Sequence, residues 1–291
     1  MLETIASTLD KVTGVQGSLG YVVIVILAIA LRAFMDAWMK GKRISKGSKS
    51  NDETEDDGPE PARNYTEAQL LKFNGSIDKT GRFEVTQQVY LSLNGTVFDV
   101  TEGKNFYGPG GPYELFAGHE CGVAFAKMSF DNDHLDDMDG CEKLTNSEKH
   151  ELIGWMEKFT YYRAYPVKGS LIPNNKLSPS DRILSKEEIA KHDGNGTVPE
   201  GYAVAPIYIG VGERVFDVSF GGVEFYGKGG AYERFAGKDA SRALAKMSFD
   251  PADTANTDTS DLSEKELKVL NDWVKTFDER KGYPVVGKIA K

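Results

Sequence analysis

The chain has 291 residues, 27% of them charged, and a formal net charge of −9. That length predicts two domains. The acidic balance, with no Lys/Arg stripe interleaved with aromatics, argues against nucleic acid as a partner. The two cysteines, Cys121 and Cys141, predict a reduced, cytosol-facing protein.

Lys11 and Arg32 bracket an uncharged stretch, Val12 to Leu31, densest at Tyr21 to Leu31. Twenty helical residues rise about 30 Å, the thickness of a bilayer core. The stretch predicts a single transmembrane helix over 18–39, with Trp38 at the interface and a short lumenal N-terminus over 1–17. Lys40, Lys42, Arg43, Lys46 and Lys49 follow the span, so the positive-inside rule puts the rest of the chain in the cytosol. A cleaved signal peptide ending at Ala28-Ile29-Ala30 is the rival reading, but the N-terminus lacks a basic n-region. Four sequons, at Asn64, Asn74, Asn94 and Asn195, are inert in a cytosolic domain. Residues 40–63 are polar, with an acidic run from Asp52 to Asp57, and predict a solvated tether.

The remainder is written twice. Phe106 to Asp131 and Phe225 to Asp250 share Phe-Tyr-Gly, a Gly-Gly pair, Tyr-Glu, Phe-Ala-Gly and Ala-Lys-Met-Ser-Phe-Asp, at a period of about 119 residues. That period is domain-sized. The copies run over 64–170 and 184–288, joined by a linker over 171–183. Each opens on a capping box, Thr66 with Gln69 and Ser185 with Glu188. A hairpin follows: Asn94-Gly95 turns the first, and Gly210-Val-Gly is expected to turn the second. A Gly-rich turn lies between two tyrosines in each copy. The last helix of each copy is capped by Thr145 with Glu148 and by Ser263 with Glu266. It carries an apolar face of Leu152, Trp155, Met156 and Phe159, or of Leu270, Trp273, Val274 and Phe277. Each copy closes on Tyr-Pro-Val. Short strands and helices without a βαβ rhythm predict α+β domains.

Read from residues alone, the tyrosines are half-buried aromatics and the glycines supply positive φ. The Walker and dinucleotide patterns both fail. The acidic loop 131–142 fails as a calcium loop, because Leu135 holds a ligand position and Asp136 stands where the turn glycine belongs. None of the four histidines, His119, His134, His150 and His192, recurs between copies, which excludes a repeated bis-histidine site and leaves them surface roles.

The joint pattern is specific. Phe98-Asp-Val100, Phe106-Tyr-Gly-Pro-Gly-Gly-Pro-Tyr113 and Phe116-Ala-Gly118, repeated as Phe216-Asp-Val218, Phe225 to Tyr232 and Phe235-Ala-Gly237, resemble the membrane-associated progesterone receptor family. That family is a branch of the cytochrome b5-like haem/steroid-binding domains. The resemblance implies two tandem cytochrome b5-like domains, each holding ferric haem through a tyrosine, Tyr113 in one and Tyr232 in the other. It implies supporting hydrogen bonds from Tyr107 and Tyr226, and haem-edge contacts from Tyr165 and Tyr283. The lysine that the family often has before that last tyrosine is replaced by Ala164 and Gly282. A phenolate is a hard oxygen ligand suited to ferric iron. The resemblance further implies a non-enzymatic adaptor of the endoplasmic reticulum or another endomembrane. Its expected roles are haem handling, sterol metabolism or regulation of cytochrome P450 partners, with haem-stacked dimers formed within or between chains. The alternative is a haem-free lipid-binding or protein-interaction scaffold. The second turn has Lys228 and Ala231 in place of Pro109 and Pro112, which predicts a looser turn and weaker binding there.

Overall fold

The structure is a computed structural model that describes residues 61–76 and 87–290. The span read over 18–39 and most of the tether lie outside the described residues. Among the described residues no helix is long and apolar enough to cross a membrane.

The first repeat begins with β1 (Arg63–Tyr65) and α1 (Glu67–Leu70), then the hairpin β2 (Tyr90–Leu93) and β3 (Thr96–Asp99). It continues through the short helices α2 (Lys104–Tyr107), α3 (Gly122–Ala126) and α4 (Met138–Glu142) to the long helix α5 (Asn146–Glu157), and ends on β4 (Val167–Leu171). The sheet order is β1-β4-β3-β2, with β1 parallel to β4 and the other pairs antiparallel.

The second repeat has β5 (Ile183–Leu184), α6 (Lys186–Ala190), the hairpin β6 (Tyr208–Val211) and β7 (Arg214–Asp217), α7 (Val223–Tyr226) and β8 (Lys238–Asp239). Then come α8 (Ser241–Ala245), α9 (Pro251–Ala255), the long α10 (Glu264–Lys275) and β9 (Val285–Ile289). Its sheet, β5-β9-β7-β6-β8, is the same sheet with one strand added. The addition is small, because the first repeat makes the equivalent contact as a single bridge, Ser92 to Glu120.

All four capping boxes form as the sequence predicts. Each closes both ways, so two orphan donors of the first turn are met at once. The first hairpin turns on Asn94-Gly95, both in the left-handed region (φ 48° and 80°). The second turns at Gly212-Glu213, not at Gly210, which lies within β6 paired to Asp239. Gly212 supplies the positive φ (68°). Gly210 is required for a different reason. A Cβ there would meet the Asp239 Cα at 3.0 Å, so its glycine lets β8 approach.

The cores follow the helix faces. Leu152 and Phe159 are buried with β2, β3 and α3, and Trp155 and Met156 pack against them. Leu270 and Phe277, with Trp273 and Val274, do the same in the second repeat. The connection after β4 is part of the second core: Ile172 is buried in it and Leu177 packs against it. Glu120 is fully buried and ties hairpin to helix. Its carboxylate accepts from Ser92 Oγ, from the Asn94 and Gly95 N–H groups, and from Gly122 N. Burial still holds its carboxyl above the usual range.

Asp136 adopts a left-handed φ of 56° and accepts from Glu120 N and the His119 ring. The acidic segment is also held by Asp131 and Asp137, which cap its short helices, and by Asp139, which accepts from Asn175 Nδ2, and it holds no metal-type cluster among the described residues. The histidines are not all surface groups. His150 is exposed, but His192 stacks on Tyr208 at 4.0 Å, as Phe73 stacks on Tyr90 at 4.3 Å in the first repeat. The imidazole there does the packing work of a phenyl ring. His134 keeps a buried Nδ1 without a partner.

Candidate aromatic site

Each repeat builds the same site from three segments. α2 ends on Tyr107 and α7 on Tyr226, and both rings are buried. The Gly-rich turn then reverses the chain, so that Tyr113 N donates to Phe106 O at 2.9 Å and Tyr232 N to Phe225 O at 2.9 Å. The second glycine of the pair is needed for contact. A Cβ on Gly111 would fall 2.4 Å from Phe106 O, and one on Gly230 2.3 Å from Phe225 O. The turn geometry is the same in both copies despite the two prolines, with Glu114 and Glu233 each accepting from the turn's N–H at Gly110 and Gly229.

The third segment follows the long helix. Both α5 and α10 run into a π-helical turn, Lys158–Tyr162 and Thr276–Arg280, which the apolar spacing did not predict. The extra residue keeps Phe159 or Phe277 in the core while the chain swings out. Tyr165 then returns to donate its N–H to Phe159 O, and Tyr283 to Phe277 O, both at 3.0 Å.

The predicted tyrosines therefore converge. Tyr107 and Tyr113 have ring centroids 5.9 Å apart, and Tyr226 and Tyr232 5.7 Å apart. Phe159 lies under Tyr107 at 6.1 Å and Tyr165 at 5.3 Å, and Phe277 under Tyr226 and Tyr283 at 5.9 and 5.3 Å. Gly103 separates the two buried tyrosine rings: a Cβ there would lie 2.7 Å from Tyr165 Oη and 3.2 Å from the Tyr107 ring. Gly222 does the same for Tyr283 and Tyr226. The tyrosines touch as rings, and among the described residues no hydrogen bond joins Tyr107 to Tyr113 or Tyr226 to Tyr232.

Two site residues carried no assigned role in the sequence. Phe130 stacks on Tyr113 (5.8 Å, 10°) and on Phe116, and Phe249 stacks on Tyr232 (5.7 Å, 29°) and on Phe235. Each repeat thus presents three near-parallel rings with an exposed edge, since Phe130 is 57% and Phe249 46% exposed. Their recurrence within Ala-Lys-Met-Ser-Phe-Asp was the available signal.

Electrostatics separates the inner rings from the outer surface. Burial, and then the neighbouring Tyr165, pushes the Tyr107 phenol far above its ordinary range; burial and then Tyr283 do the same to Tyr226. Tyr283 is pushed up to about 12 by burial, with Arg63 pulling the other way. These inner phenols stay protonated and can donate. Cys121 and Cys141 are buried, free and held protonated by burial, so neither is a reactive thiolate.

Two α+β repeats, each with a mixed sheet flanked by short helices and an aromatic site beside a Gly-rich turn, define a cytochrome b5-like architecture. The model of the cytochrome b5-like heme/steroid binding domain matches residues 66–164 and 185–288, and the chain belongs to that family. It is 32% identical over 176 residues to the cytochrome P450 regulator dap1 of Schizosaccharomyces pombe, covering 59% of this chain and 97% of that protein. It is 51% identical over 85 residues to probable steroid-binding protein 3 of Arabidopsis thaliana, covering 29% of this chain and 81% of that one. It is 34% identical over 98 residues to membrane-associated progesterone receptor component 2 of Rattus norvegicus, covering 33% of this chain and 42% of that protein.

Proposed function

We propose that the protein is a membrane-anchored adaptor that binds ferric haem in each repeat, with Tyr113 and Tyr232 as the axial ligands. The observation that carries this reading is the repeated convergence of three tyrosines beside a turn whose tip is bare backbone. Beyond the adjoining residues of the turn, no protein atom lies within 4 Å of the Cβ position of Gly110 or Gly229. A flat macrocycle can approach such a turn closely. Family membership supports haem as the cofactor class.

The donor set fits. Among the described residues none of the six hydroxyls, of Tyr107, Tyr113, Tyr165, Tyr226, Tyr232 and Tyr283, is hydrogen-bonded to a protein group. None is sealed either, since the one buried, unpartnered side-chain N or O among those residues is His134 Nδ1. Haem, when bound, supplies ferric iron of low potential and a planar apolar face. Tyr113 and Tyr232 would present their oxygens to it. Tyr107 and Tyr226, kept protonated by burial, would donate toward those oxygens. Tyr165 and Tyr283 would hold the edge, and Phe130 and Phe249 would back the ligand rings and exclude water. A steroid in place of haem would use the same rings without needing an anion.

Regulation of a cytochrome P450 is the cellular role that the fission-yeast relative's name supports. Anchoring by the 18–39 span and stacking of haem faces within one chain belong to the same proposal. A non-enzymatic role is supported by relatives whose names speak of binding and regulation. The test is a haemin titration of the full-length chain in detergent, followed by absorption. The parent is expected to take two haems, Tyr113→Phe and Tyr232→Phe one each, and the double variant none. Unchanged stoichiometry in the double variant would leave the tyrosines structural and favour the haem-free scaffold.

A further inference from the structure

The repeats differ by one residue where their sites are built. From Phe-Asp-Val to Phe-Tyr-Gly the second copy is one residue longer, and the extra length falls within Ser219–Gly221. That segment is where the first repeat docks. Asn64, fully buried, donates its backbone N–H to Ser219 O and its side-chain amide to Ser219 Oγ and Val204 O, while its Oδ1 accepts from Ala203 N. The Arg63 guanidinium lies 2.6 Å from where a Cβ on Gly221 would stand. Gln69 Nε2 spans three carbonyls: Phe220 O at 2.7 Å, Lys281 O at 3.0 Å and Gly282 O at 3.2 Å.

Those carbonyls frame the second aromatic site. Lys281 and Gly282 lead directly into Tyr283, and Phe220-Gly221 lead into Gly222, which touches both Tyr283 and Tyr226. The contact is one-way. The residue of the second repeat that corresponds to Asn64 is Ile183, 72% exposed, so the second copy does not repeat this docking edge. Such a head-to-tail contact is heterologous, and it gives the two copies different environments.

We infer that the first repeat is a built-in positioning element for the second site. Gln69 holds the 281–282 carbonyls, and Asn64 fixes the facing backbone at Ala203, Val204 and Ser219, so that Tyr283 is kept beside Tyr226. This rests on the reading of the tyrosines as a haem site. The first site takes no equivalent support from Gln69, so this clamp makes the two sites unequal independently of the missing prolines.

Gln69→Glu separates the clamp from the cap. A glutamate keeps the Thr66 capping box, as Glu188 does for Ser185. It has no N–H to give and sets a carboxylate against three carbonyls. In the full-length chain carrying Tyr113→Phe, so that only the second site reports, Gln69→Glu is expected to weaken haemin binding about tenfold, the scale of one or two buried hydrogen bonds lost. In the Tyr232→Phe background it is expected to leave the first site unchanged. A 19F label on Tyr283 is expected to shift in the ligand-free protein on the same substitution.

Equal losses at both sites would mean a general destabilisation and overturn the inference. Unchanged haemin affinity at the second site would overturn it too, whatever the label does. If the Tyr113→Phe parent takes no haemin while the label still shifts, the haem reading falls and the clamp on Tyr283 stands.

Discussion

Replacing Phe159 by alanine is expected to cost about 3–5 kcal/mol of stability, and Phe277→Ala the same, because each leaves a ring-sized cavity in a closed core. Phe159 is 1% exposed and meets Phe98, Tyr107, Phe125, Trp155 and Tyr165 through ring contacts. Phe277 is 1% exposed among Phe216, Tyr226, Trp273 and Tyr283. These residues are the floor on which two of the three tyrosines of each site rest. The loss should therefore appear twice: as a lower urea midpoint, and as haemin binding lost from the altered repeat alone. A cost under about 1 kcal/mol would mean that the tyrosines are held from elsewhere.

The second large effect is pH-dependent. Asp217 is buried at the end of β7, and burial lifts its carboxyl to about 6 despite bonds from the Ile207 and Ser219 N–H groups. An acid with a raised folded-state pKa binds more protons folded than unfolded between the two values. Its contribution to stability therefore falls as pH rises from about 4 to about 6. Both N–H bonds land on Oδ1, an atom that asparagine keeps as its carbonyl oxygen. Asp217→Asn should match the parent at pH 4 and exceed it by up to about 3 kcal/mol at pH 7, two pKa units of relieved desolvation. Urea unfolding at both pH values checks this, and a difference independent of pH would show that Asp217 is not buried as a charge.

Local signals are legible in the sequence because they depend only on neighbours. The capping boxes at Thr66, Thr145, Ser185 and Ser263 and the Asn94-Gly95 turn needed no tertiary knowledge. Of the Gly210-Val-Gly window expected to turn the second hairpin only Gly212 does so, because the two glycines look alike in a sequence: one is required by a passing backbone, the other by its own φ. The π-turns were hidden, since Leu152, Trp155, Met156 and Phe159 also satisfy an ordinary helical spacing. Asn64 read as a sequon because nothing local betrays that its amide is spent across the seam between repeats. The clue lay in aligning the two copies, which reveals the extra residue near Phe220 in the second. The tyrosines themselves were legible only through resemblance, as the bare residues suited ordinary core packing equally well.

The most direct measurement is resonance Raman spectroscopy on the haemin-loaded full-length chain. Iron–phenolate modes are predicted for the parent, at half intensity in Tyr113→Phe and in Tyr232→Phe. A parent that binds haemin without those modes, or a double variant that keeps them, would contradict tyrosine ligation in both repeats.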